Sequence, residues 1–418
     1  MAKFIIKGGN SLSGKVEIGG MKNAATPILA ATLLTDEECI IDNLPRIKDV
    51  ENLIKILENL GSKIEWLGEH KLKIKNNQIS PVSIDKGLVQ SMRSSILLLG
   101  PLLSRFKTVN IPEPGGCIIG NRPIDTHLYA LAELGAEIEK KGNNYLLKAD
   151  KLIGKKIVLP EFSVTATENL IMAAVLAQGT TEIHLAAAEP HVQDLCHFLN
   201  KQGAKIRGIG THTLIIDGVK KLRGVEHSLI PDFIEAGTYA VAAILTKGKV
   251  RIEKIVPEHL DIVLLKMSQI GVNFQVGKDY LEVGDSFSLK SFRLQTMPYP
   301  GFPTDLQAPF GLLATQCEGT TLIQETLFEG RFGYLRELIK MGANAIVADP
   351  HRVIINGPVP LYGREIKSFD LRAGATLIIA GLIAQGETII NEAEIVDRGY
   401  EKIEKKLALL GAKIERVE

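Results

Sequence analysis

One motif returns six times along this chain, and any fold must accommodate it: a helix that ends in glycine and is followed by a strand. It reads NLGSKI (59–64), ELGAEI (133–138), KQGAKI (201–206), QIGVNF (269–274), KMGANA (340–345) and LLGAKI (409–414). The glycines at 61, 135, 203, 271, 342 and 411 are 74, 68, 68, 71 and 69 residues apart. Each suits a helix C-cap, where a left-handed residue ends the helix. Alternating strands follow, such as KIEWLGEHKLKIK (63–75) and AKIRGIGTHTLIIDG (204–218). A second repeat falls between these points: a helix of small and branched apolar residues, then a turn and a strand. Its copies are 23–41, 93–111, 168–185, 235–252, 305–323 and 372–390. Helices apolar nearly all round are buried from most sides.

Six buried helices with about twice as many strand pairs imply an α/β fold with helices packed inside sheets. The expectation is two inside-out α/β barrel-like domains, each of three repeats. The last copy, LLGAKIERVE, stops at its first strand, while KFIIKGGNSLSGKVEI (3–18) supplies strands with no preceding helix. Joined, they complete a sixth repeat, so both ends of the chain belong to one domain. One domain then spans 22–230; the other combines 1–21 with 231–418. At 418 residues the chain is too long for one ordinary core. The double crossing near 20–22 and 229–232 predicts a hinge, and a cleft between domains is a common ligand site.

The repeats also supply an internal control. From the central strand residue to the next capping glycine the count is 19 to 21 in five repeats, but 26 in the second, from Val109 to Gly135. The extra residues are the PGGC segment within PEPGGCIIGNRPID (112–125), which presents Cys117 among glycines and prolines. An insertion in one repeat of six is not needed by the fold, which turns attention to function. Cys39, Cys196 and Cys317 stand in apolar surroundings and read as core.

Charge sharpens this. With 49 basic and 48 acidic residues the net charge is +1, so nothing pulls the whole chain toward nucleic acid or anionic membrane. No apolar stretch is long enough to span a bilayer, and the cysteines show no paired spacing; a reduced, cytoplasmic protein is expected. Yet Lys22, Arg93, Arg122, Arg331, Arg372 and Arg398 stand at helix starts or in loops after strands. Brought together they form a basic cleft suited to a small polyanion. Arginine at a helix start opposes the macrodipole, so Arg93 and Arg372 are placed either for a ligand or for a salt bridge, for instance with Asp370. Asp305 has an ordinary helix-start explanation, although the fixed loop MPYPGFPTD (297–305) raises the functional one. Glu168 and Glu235 also read as helix starts. There is no phosphate-binding GxxxxGK[ST], no GxGxxG after a strand and no metal-type histidine spacing; neither a metal nor any other cofactor is expected.

GGMKNAA, SMRSS, PGGCIIGNRPID, PGFPTD, FEGRF, DLRAGA and DRGYE, in this order along the whole chain, resemble the UDP-N-acetylglucosamine 1-carboxyvinyltransferase family. The resemblance implies two inside-out α/β domains of three repeats. It implies transfer of the enolpyruvyl group of phosphoenolpyruvate to the 3-hydroxyl of UDP-N-acetylglucosamine, with release of phosphate, as the first committed step of peptidoglycan synthesis. By resemblance Cys117 protonates the methylene carbon, can form an adduct with phosphoenolpyruvate, and is the thiol that fosfomycin alkylates. Asp305 takes the hydroxyl proton, and Lys22 and Arg398 complete the catalytic set. Lys22, Asn23, Arg122, Arg372 and Arg398 hold phosphoenolpyruvate. Arg93, Arg122, Pro123, Ile124, Asp125, Thr126, Ser163, Val164, Asp305 and Leu327 match nucleotide-sugar positions. The residue types agree with the reaction: one group must protonate carbon and another must free a hydroxyl.

The chain departs from the family pattern at three places. Glu161-Phe162 stand where a basic residue is expected before Ser163, Glu189-Pro190-His191 replace an acidic pair, and FEGRF has Gly330 in place of asparagine. The PGGC segment argues against the sister shikimate-pathway synthase. Cys117, Asp305 and Arg398 together argue against a silent nucleotide-sugar sensor, and near-zero net charge argues against an RNA-end-processing enzyme. The expected partners are the two substrates, with no nucleic acid and no membrane; a monomer is plausible.

Overall fold

The structure is a computed structural model that describes residues 2–81, 84–115, 119–120, 122–286 and 288–418. The chain folds as two compact units. One holds residues up to 19, residues 119–120 of the cysteine segment, and 231–418; the other holds 20–115 and 122–230.

Each unit is built around three of the six apolar helices. In the unit 20–230 these are Lys22–Ala31, Leu99–Phe106 and Val164–Ala174. In the other they are Phe233–Leu245, Gln307–Ala314 and Leu371–Ile383. All thirteen residues of Phe233–Leu245 are buried, as expected of a helix with no polar face. Leu99–Phe106 packs on Val164–Ala174, and Gln307–Ala314 packs on Leu371–Ile383. The first contact is close because residue 100 is glycine. A Cβ there would sit 2.4 Å from the carbonyl oxygen of Asn169.

The strands form six separate sheets, none closing on itself among the described residues. Most follow one plan, shown by Arg293–Gln295, Gly319–Gln324, Arg352–Gly357 and Asn344–Asp349: one parallel pair, then two antiparallel pairs. The second repeat's sheet has three strands, Thr108–Pro112, Asn144–Lys148 and Glu137–Lys141. In the sixth sheet Lys3–Lys7 lies between Glu387–Asn391 and Lys413–Val417, antiparallel to both. Phe4, Ile6 and Ile390 are fully buried there. Each such side chain contributes about 1.5–3 kcal/mol of burial.

The glycine expectation holds. Gly61, Gly135, Gly203, Gly271, Gly342 and Gly411 all have φ between 91° and 111°, at the helix cap or one residue beyond it. Any residue with a Cβ is strained in that conformation. Cys39, Cys196 and Cys317 are buried. Burial pushes the Cys317 thiol up to about 12 and the Cys196 thiol well up. Glu168 corrects one expectation: it does not open its helix. Ser163 caps that helix, and Glu168, one turn further in, is only 1% exposed. Burial, with Glu189 nearby, holds its carboxyl well above the usual range.

Candidate active site

The candidate residues divide between the units. Lys22, Asn23, Arg93, Arg122, Pro123, Ile124, Asp125, Thr126, Ser163 and Val164 belong to one; Asp305, Leu327, Arg372 and Arg398 belong to the other. Cys117 lies outside the described residues.

In the first unit, four helix starts carry the candidates. Lys22 opens Lys22–Ala31, with no acid in the first turn to favour a cation there. Its counter-charge comes from the next helix, where Asp49 Oδ2 is 3.1 Å from Lys22 Nζ. Ser163 caps Val164–Ala174 by accepting from the Ala166 amide at 3.4 Å, so its hydroxyl has a local structural task. Arg93 begins the 3-10 helix Arg93–Leu98. Its Nη2 donates to the carbonyls of Arg122 and Pro123, the latter at 3.2 Å. Arg93 therefore fastens the RPIDT segment through its backbone. That segment runs directly into the helix Asp125–Glu133.

A buried histidine sets these segments in register. Asn169 Oδ1 accepts from the Gly100 amide at 2.8 Å, which orients its Nδ2 toward Ile96 O and His127 Nδ1, both at 2.9 Å. His127 Nδ1 is thus the acceptor, and Nε2–H donates to Thr165 Oγ1 at 3.1 Å. The network ties the RPIDT helix to the Ser163 helix. Sequence reasoning missed it, because His127 and Asn169 sit on different helices with no shared motif. Burial, then the charges of Arg93 and Arg122, lower the imidazole to about 3. In the unfolded chain the same group titrates near 6.5. Between these values only the unfolded chain takes the proton, so acidification through this window destabilises the fold. We expect the wild type to lose about 1.6 kcal/mol from this group between pH 6.5 and 5, the slope rising toward about 1.4 kcal/mol per pH unit. Urea denaturation at both pH values checks it; His127→Gln should flatten the dependence by that amount.

In the second unit the centre is Asp305, in the 3-10 turn Thr304–Leu306. Its carboxylate does not cap the helix. Arg331 Nη2 donates to Oδ1, while Arg372 Nε donates to Oδ2 at 3.2 Å. The two guanidinium groups are 4% and 3% exposed, against 26% for Asp305. The carboxylate thus sits, partly exposed, between two buried cations. Asp370, the alternative partner of Arg372, instead accepts the backbone amides of Arg372 and Ala373 at 2.8 and 3.0 Å. Burial works against charge on Arg372, but Tyr400, Asp305 and Asp232 outweigh it and raise its pKa. Arg372 Nη1 is buried and has no hydrogen-bond partner among the described residues, a donor suited to an anion.

Glu325 organises the loop around Asp305 and was not singled out from the sequence. Fully buried, it accepts from Thr296 Oγ1 and Thr304 Oγ1, each at 2.8 Å, and from the Leu327 amide at 2.9 Å. Leu327 is therefore held through its backbone. Arg398 ends the 3-10 segment Ala393–Arg398. No helix among the described residues is long and apolar enough to cross a membrane.

The chain matches the family model of EPSP synthase (3-phosphoshikimate 1-carboxyvinyltransferase) over residues 6–407. It is 46% identical to UDP-N-acetylglucosamine 1-carboxyvinyltransferase 1 of Carboxydothermus hydrogenoformans, over 100% of this chain and 99% of the relative. It is 48% identical to the protein of the same name from Caldanaerobacter subterraneus subsp. tengcongensis, over 99% of each. Among solved structures it resembles the enolpyruvyl transferase NikO from Streptomyces tendae, with a TM-score of 0.91 at 26% identity, covering 100% of this chain and 99% of that one. EPSP synthase from Acinetobacter baumannii shares the fold over the full length of both chains, with a TM-score of 0.77 at 20% identity.

Proposed function

The chain belongs to the carboxyvinyltransferase family, and from that premise we propose that it transfers the enolpyruvyl group of phosphoenolpyruvate to the 3-hydroxyl of UDP-N-acetylglucosamine, releasing phosphate. Full-length identity to enzymes of that name carries this reading. On this reading the chain acts at the entry to peptidoglycan synthesis, in the cytoplasm.

In this reading Asp305 takes the proton as the sugar oxygen bonds to the central carbon of phosphoenolpyruvate. Cys117 delivers a proton to the methylene carbon. Loss of a proton from that carbon then expels phosphate and restores the double bond. Arg372 meets the anionic substrate with Nη1, and Lys22, Asn23, Arg122 and Arg398 share its phosphate and carboxylate. Arg331, named from the sequence only as one cation of the basic cleft, holds Asp305. Arg93, Arg122, Pro123, Ile124, Asp125, Thr126, Ser163, Val164, Asp305 and Leu327 contact the nucleotide sugar.

Phosphate release from phosphoenolpyruvate should require UDP-N-acetylglucosamine. No release in its presence, or equal release with shikimate 3-phosphate, overturns the reading. Fosfomycin should label one thiol. Cys39, Cys196 and Cys317 are buried and their thiols raised, mainly by burial, which disfavours the reactive thiolate. Mass spectrometry should find the adduct on Cys117, retained in Cys196→Ser and lost in Cys117→Ser; labelling that persists in Cys117→Ser removes Cys117 from this role.

A further inference from the structure

Arg372 meets Asp305 at a single oxygen. Nε and Nη2 of the guanidinium both lie 3.2 Å from Oδ2 of the carboxylate. A fork gripped at one atom can pivot about it, and Nη1, which has no hydrogen-bond partner among the described residues, would swing with the pivot. A second contact is needed to fix its direction. Tyr400 supplies one, with its ring centre 5.2 Å from the guanidinium carbon. Both side chains are buried, and both belong to the unit that holds 231–418.

The hydroxyl of Tyr400 has a fixed direction. It pairs with Thr238 Oγ1 at 2.9 Å, and Thr238 donates its own proton to Ile234 O at 2.8 Å. A threonine has one proton to give, so Tyr400 is the donor between the two. Its oxygen lone pairs, rather than its proton, are then left for the cation. Burial pushes the phenol up and Arg372 pulls it back, as expected where a cation lies close to the oxygen. A chain of groups thus runs from the first turns of Phe233–Leu245 through Thr238 and Tyr400 to Arg372. The same tyrosine closes the Arg398 segment. It stands two residues beyond Arg398, and its amide donates to Val396 O at 3.0 Å.

We propose that Tyr400 is a positioning residue for phosphoenolpyruvate: its side chain, oriented by Thr238, seats Arg372 with Nη1 open, and its backbone holds the end of the Arg398 segment. This rests on the proposed transferase reading and goes beyond it, because Tyr400 acts through two cations rather than on the substrate.

Calorimetric titration of the whole protein with phosphoenolpyruvate alone tests this without turnover, and steady-state phosphate release adds the split between KM and kcat. Tyr400→Phe keeps the ring and removes the oxygen. Its Kd and KM for phosphoenolpyruvate should rise about 10-fold, the value of one hydrogen bond to a charged group. Its kcat should stay within about 3-fold and its KM for UDP-N-acetylglucosamine within about 2-fold of wild type. Thr238→Val tests the same chain with the tyrosine intact: the phenol proton loses its acceptor, and the Kd should rise about 3-fold or more. Thr238→Ser keeps the acceptor and should bind as wild type does. The double variant Tyr400→Phe/Thr238→Val should bind no more weakly than Tyr400→Phe, since both changes act through one contact. Four outcomes overturn the proposal: no binding of phosphoenolpyruvate by wild type, an unchanged Kd in Tyr400→Phe, an equal loss for both substrates, or additive effects in the double variant. Absence of phosphate release with the Tyr400→Phe loss of affinity intact counts against the transferase reading alone.

Discussion

Asp305→Asn should lower kcat by about 10³-fold, within the range of a lost general base, and should also lower the melting temperature, because it breaks a buried charge arrangement from one side. The amide keeps the shape, but its one oxygen serves only one of Arg331 and Arg372, while its nitrogen meets the other guanidinium donor to donor. It cannot take a proton from a sugar hydroxyl. The substitution also removes one of the negative charges around two buried guanidinium groups, at 4% and 3% exposure, and their field should then act more strongly on an incoming anion. The KM for phosphoenolpyruvate should hold or fall while kcat collapses, a split that a purely structural defect does not produce. Steady-state phosphate release at saturating nucleotide sugar measures both. A kcat within ten-fold of wild type ends the case for Asp305 as the base.

Arg372→Met should act on stability as well as substrate. The side chain is 3% exposed, bonds Asp305, and lies with its guanidinium carbon 5.2 Å from the centre of the Tyr400 ring. Methionine fills much of the volume but leaves Asp232, itself 2% exposed, without the cation that favours its ionised form. Breaking a buried charge arrangement from one side costs about 3–5 kcal/mol, and the lower end applies because Arg331 still serves Asp305. Denaturant midpoints measure this. Arg372→Lys separates charge from geometry. It keeps the cation, so stability should recover in part, but the planar fork that leaves Nη1 for a ligand is gone. Its KM for phosphoenolpyruvate should rise about 10-fold or more, the value of one charge-assisted hydrogen bond. An unchanged KM in Arg372→Lys removes Nη1 from substrate binding.

The fold was readable from the sequence because its signals are local. A capping glycine marks each helix end, and an apolar helix with no polar face announces its burial; both repeat at nearly constant intervals. The site was readable only residue by residue. Asp305, Arg331 and Arg372 stand 26 and 67 positions apart in chain separation from Asp305, and no periodicity links them. Arg372 offered a nearer partner in Asp370, and the helix start claimed that carboxylate for backbone amides instead. Glu325 and His127 gave no warning either. A single carboxylate after a strand, or a single histidine in a helix, carries no mark of the partners that fold around it. Glu168 shows the reverse error: the charged residue drew the helix boundary inward, while the true start lay at Ser163, a residue type that favours that position.

The strand Lys3–Lys7, held between Glu387–Asn391 and Lys413–Val417, has a consequence for biosynthesis. Residues 20–230 can finish their core while the ribosome is still translating the remainder, since domains generally fold as units in order of emergence. The sheet around Phe4 and Ile6 cannot. Its first strand must wait, unpaired, until nearly four hundred later residues have been made. Pairing at that sequence separation is slow, and an exposed apolar strand is a site for aggregation meanwhile. The newborn chain therefore has most need of a chaperone at its earliest residues, long after they have left the exit tunnel.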